Sequence, residues 1–200
     1  MLIFMDNANN SCCCGETEHF SGCLICGAPV TYSIESSVKT CSICHKEQLT
    51  NAVCENGHFV CDACHSYGTY IPVSTALRSS TEKDPLLLLE EIMDLPSVHM
   101  HGPEHHAIVP SVLLTALRNN GERMNYDTAL SEICKRAKQV PGGTCGYWGV
   151  CGAAAGAGIF MSVMTGSGPL HKDAWPFPQK LVSVILSKLE IGRASCRERV

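Results

Sequence analysis

The chain has 200 residues, and 15 basic against 19 acidic side chains give it a net charge of −4 at pH 7. This balance, without any run of lysine or arginine, excludes the extended basic surface of a typical nucleic-acid-binding protein. The first residues, from Met1 to Asp6, lack the basic segment and the long apolar run of a signal peptide. Fourteen cysteines in such a chain predict metal or redox ligands in a reducing cytoplasm.

The sequence predicts a mixed α+β protein of several segments. Residues 1–20 are polar and include three adjacent thiols, Cys12 to Cys14, which cannot all reach one tetrahedral ion, so a disordered tail is expected. Residues 191–200 match one reading frame of a common sequencing adapter and are taken as an artefact, so the natural chain is expected to continue. Between these ends we expect a two-zinc module at 21–68, a bridging segment with one helix at 69–98, and a truncated helical domain at 99–190.

The first segment contains eight soft metal ligands arranged in pairs. They are Cys23, Cys26, Cys41, Cys44, Cys54, His58, Cys61 and Cys64. A Cys-x-x-Cys turn directs two sulfurs at one ion, and two pairs complete a closed tetrahedral site, so two structural zinc ions are predicted. Residues 29–33 and 58–60 are the candidate strands of this module.

Two pairings of these ligands fit the spacing. Sequential pairing joins the first four ligands in one zinc ribbon and the last four in a second site. Crossed pairing joins the second and fourth pairs in a treble-clef-like site, with Cys61 and Cys64 opening a helix, and the first and third pairs in the other. The spacing does not choose between them. His45 and His65 follow ligand cysteines and are interpreted as surface histidines or substitute ligands.

The helices expected beyond the module are marked by their end signals. Asp84 and Pro85 open a helix that Pro96 stops. Apolar residues recur at helical spacing in the next two segments. The remaining predicted helices span residues 110–120, 126–139 with Asn125 as its cap, 147–164, and 178 onward. Residues 140–170 carry no charge, but their glycine content is too high for a membrane span.

A second set of potential ligands lies in the helical segment. His99, His101 and Glu104 precede His105 within seven residues, and imidazole with carboxylate suits zinc or iron. Cys145 and Cys151 flank a predicted helix start, where backbone N–H groups favour a thiolate. The glycines allow close approach of a cofactor or of another helix. From this set, the predicted catalytic residues are Cys145, Cys151, His101 and His105, and the predicted cofactor-binding residues are His99, Glu104, Gly152 and Gly156.

These motifs resemble a family of cysteine-rich proteins of unknown function from anaerobic prokaryotes, some joined to S-adenosylmethionine-dependent methyltransferase domains. The resemblance is carried by the pair ending in Cys61-Asp-Ala-Cys64-His65, by residues 99–106 and by residues 143–153. It implies an architecture without a reaction, and a methyltransferase as a partner. Residues 151–156 also resemble the Gly-Cys-Ala-x-x-Gly signature of a redox-active cysteine family, although Val150 and Gly152 depart from it.

Two functions remain open at this level. The first is a metal-binding protein with a structural zinc module and, in the helical domain, a redox or metal-dependent catalytic Cys/His site that holds a further zinc, iron or iron-sulfur centre. The second is a non-enzymatic interaction or accessory module in which zinc sets the shape. The residues alone do not decide whether the protein is an enzyme.

Overall fold

The computed structural model describes residues 22–99 and 102–189. The predicted tail, the predicted adapter-derived segment and His101 lie outside these residues. The described part combines a two-stranded sheet with seven helices, which confirms a mixed α+β fold. In chain order the elements are β1 Val30–Thr40, β2 Glu47–Cys54, α1 Asp62–Ser79, α2 Pro85–Met93, α3 His105–Asn119, α4 Tyr126–Ala137, α5 Thr144–Tyr147, α6 Gly152–Met164 and α7 Pro176–Lys188.

The sheet is an antiparallel hairpin that joins the paired cysteines. Its register places Val30 opposite Cys54 and Thr40 opposite Glu47, with an irregularity between Tyr32 and Ser37. The predicted strand near residue 30 is confirmed and is longer than expected. The strand predicted at 58–60 is wrong, because β2 ends at Cys54 and this stretch connects the hairpin to α1.

The residues that precede α1 and α2 determine where these two helices begin. Cys61 has extended backbone angles and caps α1, which continues past the expected end of the module at residue 68. The segment predicted to bridge the two parts therefore holds the end of α1 as well as α2. Helix α2 begins as predicted, since the Asp84 carboxylate accepts a hydrogen bond from the Leu86 N–H at 2.8 Å.

The predicted start is wrong for α3 and correct for α4. Helix α3 begins at His105 and contains Pro110 in its interior, so the helix start predicted at that proline is wrong. Proline lacks an N–H and is usually excluded from a helix interior. Helix α4 begins as predicted, with the Asn125 side chain accepting from the Thr128 N–H at 3.0 Å.

The helix predicted from residue 147 is divided in the structure. A short helix, α5, ends at Tyr147, and α6 starts at Gly152 with Cys151 as its cap. Gly149 lies between them with a φ of 68°, a left-handed conformation that ends a helix and suits glycine. Helix α7 begins two residues before the predicted start.

Helix α3 is the centre of the helical part. Its Ile108 and Val112 are buried in one apolar cluster with α1 and α2, while Leu114 packs toward α4 and α6 in another. The absence of a side chain at Gly156 lets α6 approach α3, since a Cβ there would lie 2.8 Å from the ring of Pro110. Among the helices of the described residues, none is both long enough and apolar enough to cross a membrane.

Candidate metal centres

The first two Cys-x-x-Cys pairs form turns of the same geometry. The Gly27 N–H donates to the Cys23 carbonyl at 2.7 Å, and the His45 N–H donates to the Cys41 carbonyl at 2.9 Å. Both residues after the pairs are left-handed, with φ of 73° at Gly27 and 59° at His45. His45 is exposed and belongs to neither cysteine group, so its role here is to complete the turn.

The first cluster consists of Cys23, Cys26, Cys54 and His58, whose ligand atoms all lie within 4.8 Å of one another. The Cys26 and Cys54 sulfurs are 3.9 Å apart. Nδ1 of His58 lies 3.4 Å from the Cys26 sulfur and 3.6 Å from the Cys54 sulfur. The turn at the end of β2 therefore faces the turn that precedes β1.

The second cluster consists of Cys41, Cys44, Cys61 and Cys64, also within 4.8 Å. The Cys44 and Cys61 sulfurs are 3.8 Å apart. Sulfurs held at about 2.3 Å from a tetrahedral ion lie about 3.8 Å from each other, so the observed spacing fits one ion. The turn between β1 and β2 and the first turn of α1 supply the four thiols.

These groups correspond to the crossed pairing. The pair before β1 joins the pair at the end of β2, and the pair in the turn between the strands joins the pair at the start of α1. Backbone N–H groups surround the sulfurs, as in the contact of the Cys61 N–H with the Cys41 sulfur at 3.4 Å. Burial acts to raise the pKa of the Cys41 thiol, but N–H donors from Cys44, Cys61 and Ile43 lower that pKa to about 6. Burial and the neighbouring sulfurs raise the pKa of Cys64 in the same cluster to about 12. Ionisation of all four thiols therefore requires a cation.

A third group of potential ligands lies at the junction of α1 with the start of α3. It consists of His65, His99 and Glu104, and we call it the histidine–carboxylate group. Nδ1 of His99 lies 2.6 Å from Oε1 of Glu104, and Nδ1 of His65 lies 3.3 Å from Oε2. The two imidazole rings are 4.6 Å apart between centroids.

Glu104 is the most enclosed member of this group, with no exposed surface. Burial alone would raise its pKa, but the imidazoles of His65 and His99 hold that pKa well below its usual range. Gly102 provides the space for the carboxylate, because a Cβ there would lie 2.1 Å from Oε2. Oε2 and Nδ1 of His65 are both buried and neither has a hydrogen-bond partner. An unsatisfied buried polar group costs about 1–3 kcal/mol.

The two histidines that follow Glu104 have different surroundings. His105 is buried, and its Nε2–H donates to the His99 carbonyl at 2.9 Å, so it holds the backbone of the histidine–carboxylate group. The Nδ1–H of His106 donates to the Val140 carbonyl at 3.2 Å. Burial lowers the pKa of His106, which favours the neutral imidazole for this bond.

The predicted thiol residues lie apart from the histidine–carboxylate group. Cys151 is 1% exposed and packs among apolar residues, including Val182 and Ile185 of α7. Cys145 is part of the short helix α5. Within the described ranges, neither thiol belongs to a group of three potential metal ligands.

The glycines predicted to approach a cofactor approach protein side chains instead. A Cβ at Gly152 would lie 2.3 Å from Cδ2 of His106, so this glycine makes room for the imidazole ring. Gly156 contacts Pro110 in the same manner. Their positions are explained by the packing of α6 on α3.

Two polar contacts join the hairpin and α1 to the segment before α6. The Asp62 carboxylate, placed between two ligands of the second cluster, accepts from the Gly142 N–H at 3.1 Å. The amide of Asn51 in β2 is hydrogen-bonded to the Tyr147 hydroxyl. The cysteine clusters and the helical part are thus connected through α1 and through this segment.

Residues 73–200 match a family described as Family of unknown function (DUF5714). The chain belongs to this family. The match includes His99 and Glu104 but begins after both cysteine clusters and after His65. The expected resemblance to a domain of unknown function is confirmed, whereas the links to anaerobes, to methyltransferases and to the redox-active cysteine family stay predictions. No curated protein and no solved structure matches the chain.

The member of the histidine–carboxylate group that sequence reasoning missed is His65. It follows the ligand Cys64 directly and was interpreted with the zinc module. The available signal was its place in α1, since a helix that starts at the last pair carries His65 away from that pair and toward the helical part. That signal required the crossed pairing, which the spacing left open.

Proposed function

We propose that this protein is a zinc protein in which two structural ions hold the hairpin and the first turn of α1. The supporting observation is that each cluster supplies four soft ligands within 4.8 Å. Sets of three or four thiolates suit zinc, and four protein ligands leave no position for water or substrate. Both ions therefore stabilise structure and take no part in chemistry.

The packing of this region explains why it depends on metal. Every residue of β1 is exposed, and the buried apolar cluster of the module contains only Cys41, Phe59 and Cys61. So small a core cannot offset the conformational entropy of ordering some forty residues. Structural zinc supplies the missing stability, as it does in other small metal-binding domains.

Cobalt substitution tests this proposal. Co²⁺ bound by thiolates gives intense charge-transfer absorption, so the wild-type protein should show two equivalents of such binding. Cys44→Ser should remove about half of this absorption. Cys134→Ser is the matched control, because Cys134 lies in α4 outside both clusters, and it should retain all of it. Wild-type protein without thiolate–cobalt absorption would overturn the proposal.

The exposed hairpin favours a second candidate, the non-enzymatic interaction module. Tyr32, Ile34 and Leu49 are large apolar side chains with exposed fractions of 65%, 102% and 70%. We would test a methyltransferase as the partner, by titration against wild-type protein and against the double variant Ile34→Ser and Leu49→Ser. Binding that the variant abolishes, with both zinc ions retained, would support this function, and equal binding would contradict it.

The redox or catalytic role predicted for Cys145 and Cys151 is tested by thiol alkylation of the zinc-loaded protein. Cys145 is partly exposed and Cys151 is buried, so Cys145 should react first. Burial raises the pKa of Cys134, which makes that thiol a slow internal reference. Alkylation of Cys145 no faster than that of Cys134 would remove it as a nucleophile.

A further inference from the structure

The histidine–carboxylate group is assembled from three separate parts of the fold. His65 belongs to α1, His99 follows α2, and Glu104 immediately precedes α3. Their ligand atoms meet within 4.8 Å, although 39 positions separate the first residue from the last. His99 and Glu104 are close in sequence, but His65 reaches them only because α1 packs against α3.

The contacts within the group are those of ligands around a shared position. Glu104 has no exposed surface, and a buried carboxylate requires compensation by a cation or by hydrogen bonds. Oε1 is hydrogen-bonded to Nδ1 of His99 at 2.6 Å, which leaves Oε2 uncompensated. Oε2 and Nδ1 of His65 lie 3.3 Å apart, and neither has a hydrogen-bond partner. Two atoms bound at about 2.1 Å to one tetrahedral ion lie about 3.4 Å apart, which matches the 3.3 Å between Oε2 and Nδ1 of His65.

We propose that His65, His99 and Glu104 bind a third divalent transition-metal ion, and that this site, unlike the cysteine clusters, is open. Two imidazoles and one carboxylate are the ligands of catalytic zinc sites and of non-haem ferrous sites. Three protein ligands leave at least one coordination position for water or for an oxygen ligand. The imidazole side chains keep 21% and 15% exposure, so the free position lies on their side of the ion.

Neighbouring residues hold the three ligands in place. The Nε2–H of His105 donates to the His99 carbonyl at 2.9 Å, which positions the backbone of that ligand. Gly102 leaves room for the Glu104 carboxylate. Contacts between metal ligands and the residues around them orient the ligands in known sites, and their loss changes metal affinity. His105 is therefore a positioning residue of the third site.

The test is a Co²⁺ titration of metal-free wild-type protein under reducing, anaerobic conditions. Two equivalents should produce thiolate charge-transfer absorption. A third saturable equivalent should add only the weak d–d bands of nitrogen and oxygen ligands, and Zn²⁺ should displace it. If the wild-type protein binds no third equivalent of this character, the proposal is overturned, whatever any variant does.

Variants then assign the third equivalent to its ligands. Glu104→Gln keeps the shape and the hydrogen-bonding capacity of the side chain but removes its charge, and it should lose the third equivalent while the thiolate absorption is unchanged. Glu132→Gln is the matched control, because Glu132 pairs with Arg136 on α4, away from the group, and it should bind three. His99→Gln provides a second test if Glu104→Gln does not fold. A third equivalent retained in either ligand variant would overturn the proposal.

Discussion

The cysteine clusters and the histidine–carboxylate group differ in ligand number, ligand type and surroundings. Each cluster has four soft ligands placed around a hairpin with little apolar core. The third group has two imidazoles and one buried carboxylate, next to a core in which Ile108 and Leu77 are 1% exposed. In the proposed arrangement the closed sites lie where the apolar core is small, and the open site lies beside a well-packed core.

The two kinds of site are connected by one helix. Cys61 caps α1, Cys64 is in its first turn, and His65 follows. The second cluster therefore fixes the start of the helix that carries a ligand of the third site. This difference between closed and open sites, and their one-way dependence, lead to four predictions.

Removal of all metal should have the largest effect. We expect the hairpin to unfold, because its own apolar core is small and structural zinc, as proposed, would contribute about 10 kcal/mol. Amide hydrogen exchange should then be fast throughout β1 and β2 but still slow in α3, which has its own apolar core. Equal protection of the hairpin with and without a chelator would contradict the proposed dependence of the hairpin on metal.

Loss of one ligand from each cluster should show that the two clusters differ in their effect on the third site. Cys61→Ser should weaken the third site about 10- to 100-fold, as loss of a supporting contact does in metal sites, because it disturbs the start of α1. Cys26→Ser should leave the third site within a few-fold of wild type, because Cys26 belongs to the first cluster and is exposed. Isothermal titration with Zn²⁺ measures both, and equal losses would contradict the one-way dependence.

Adding a methyl group at Gly102 or at Gly152 should distinguish a glycine that makes room for a metal ligand from one that only allows two helices to pack. Gly102→Ala pushes against the Glu104 carboxylate, and Gly152→Ala pushes against the His106 ring. Each should cost about 1–3 kcal/mol of stability through overpacking. Metal analysis should show loss of the third ion in Gly102→Ala alone, and loss in both variants would mean that the effect is general.

The smallest effect is expected at the contact between the second cluster and the helical part. Asp62→Asn weakens the bond from the Gly142 N–H and should cost about 0.5–1.5 kcal/mol, the net value of one such hydrogen bond. Chemical denaturation measures this change. Metal content should be unchanged, and loss of zinc would show that Asp62 supports the cluster directly.

Part of this arrangement was predictable from the sequence. Pairs such as Cys41 and Cys44 can be recognised in the sequence, because a short turn alone places both sulfurs where they can bind one ion. Caps such as Asp84 and Asn125 act through a side chain and a backbone N–H two or three residues away, so they too can be read locally. The α+β class followed from these local signals.

The rest depended on contacts between distant residues. The pairing of Cys23 with Cys54 is set by the register of β1 on β2, which the spacing of cysteines does not contain. His65 joins Glu104 only after α1 packs against α3. Pro110 misled the placement of α3 because a proline in the helix interior is tolerated here, where Gly156 of α6 lies against its ring.

Anomalous diffraction at the zinc absorption edge, from crystals of zinc-loaded wild-type protein, would locate all three proposed ions in one experiment. We predict one peak among Cys23, Cys26, Cys54 and His58, one among Cys41, Cys44, Cys61 and Cys64, and a third beside His65, His99 and Glu104. Only the third ion should carry a water ligand. A peak shared by Cys23 and Cys41, or hydrogen bonds in place of an ion at Glu104, would contradict the account.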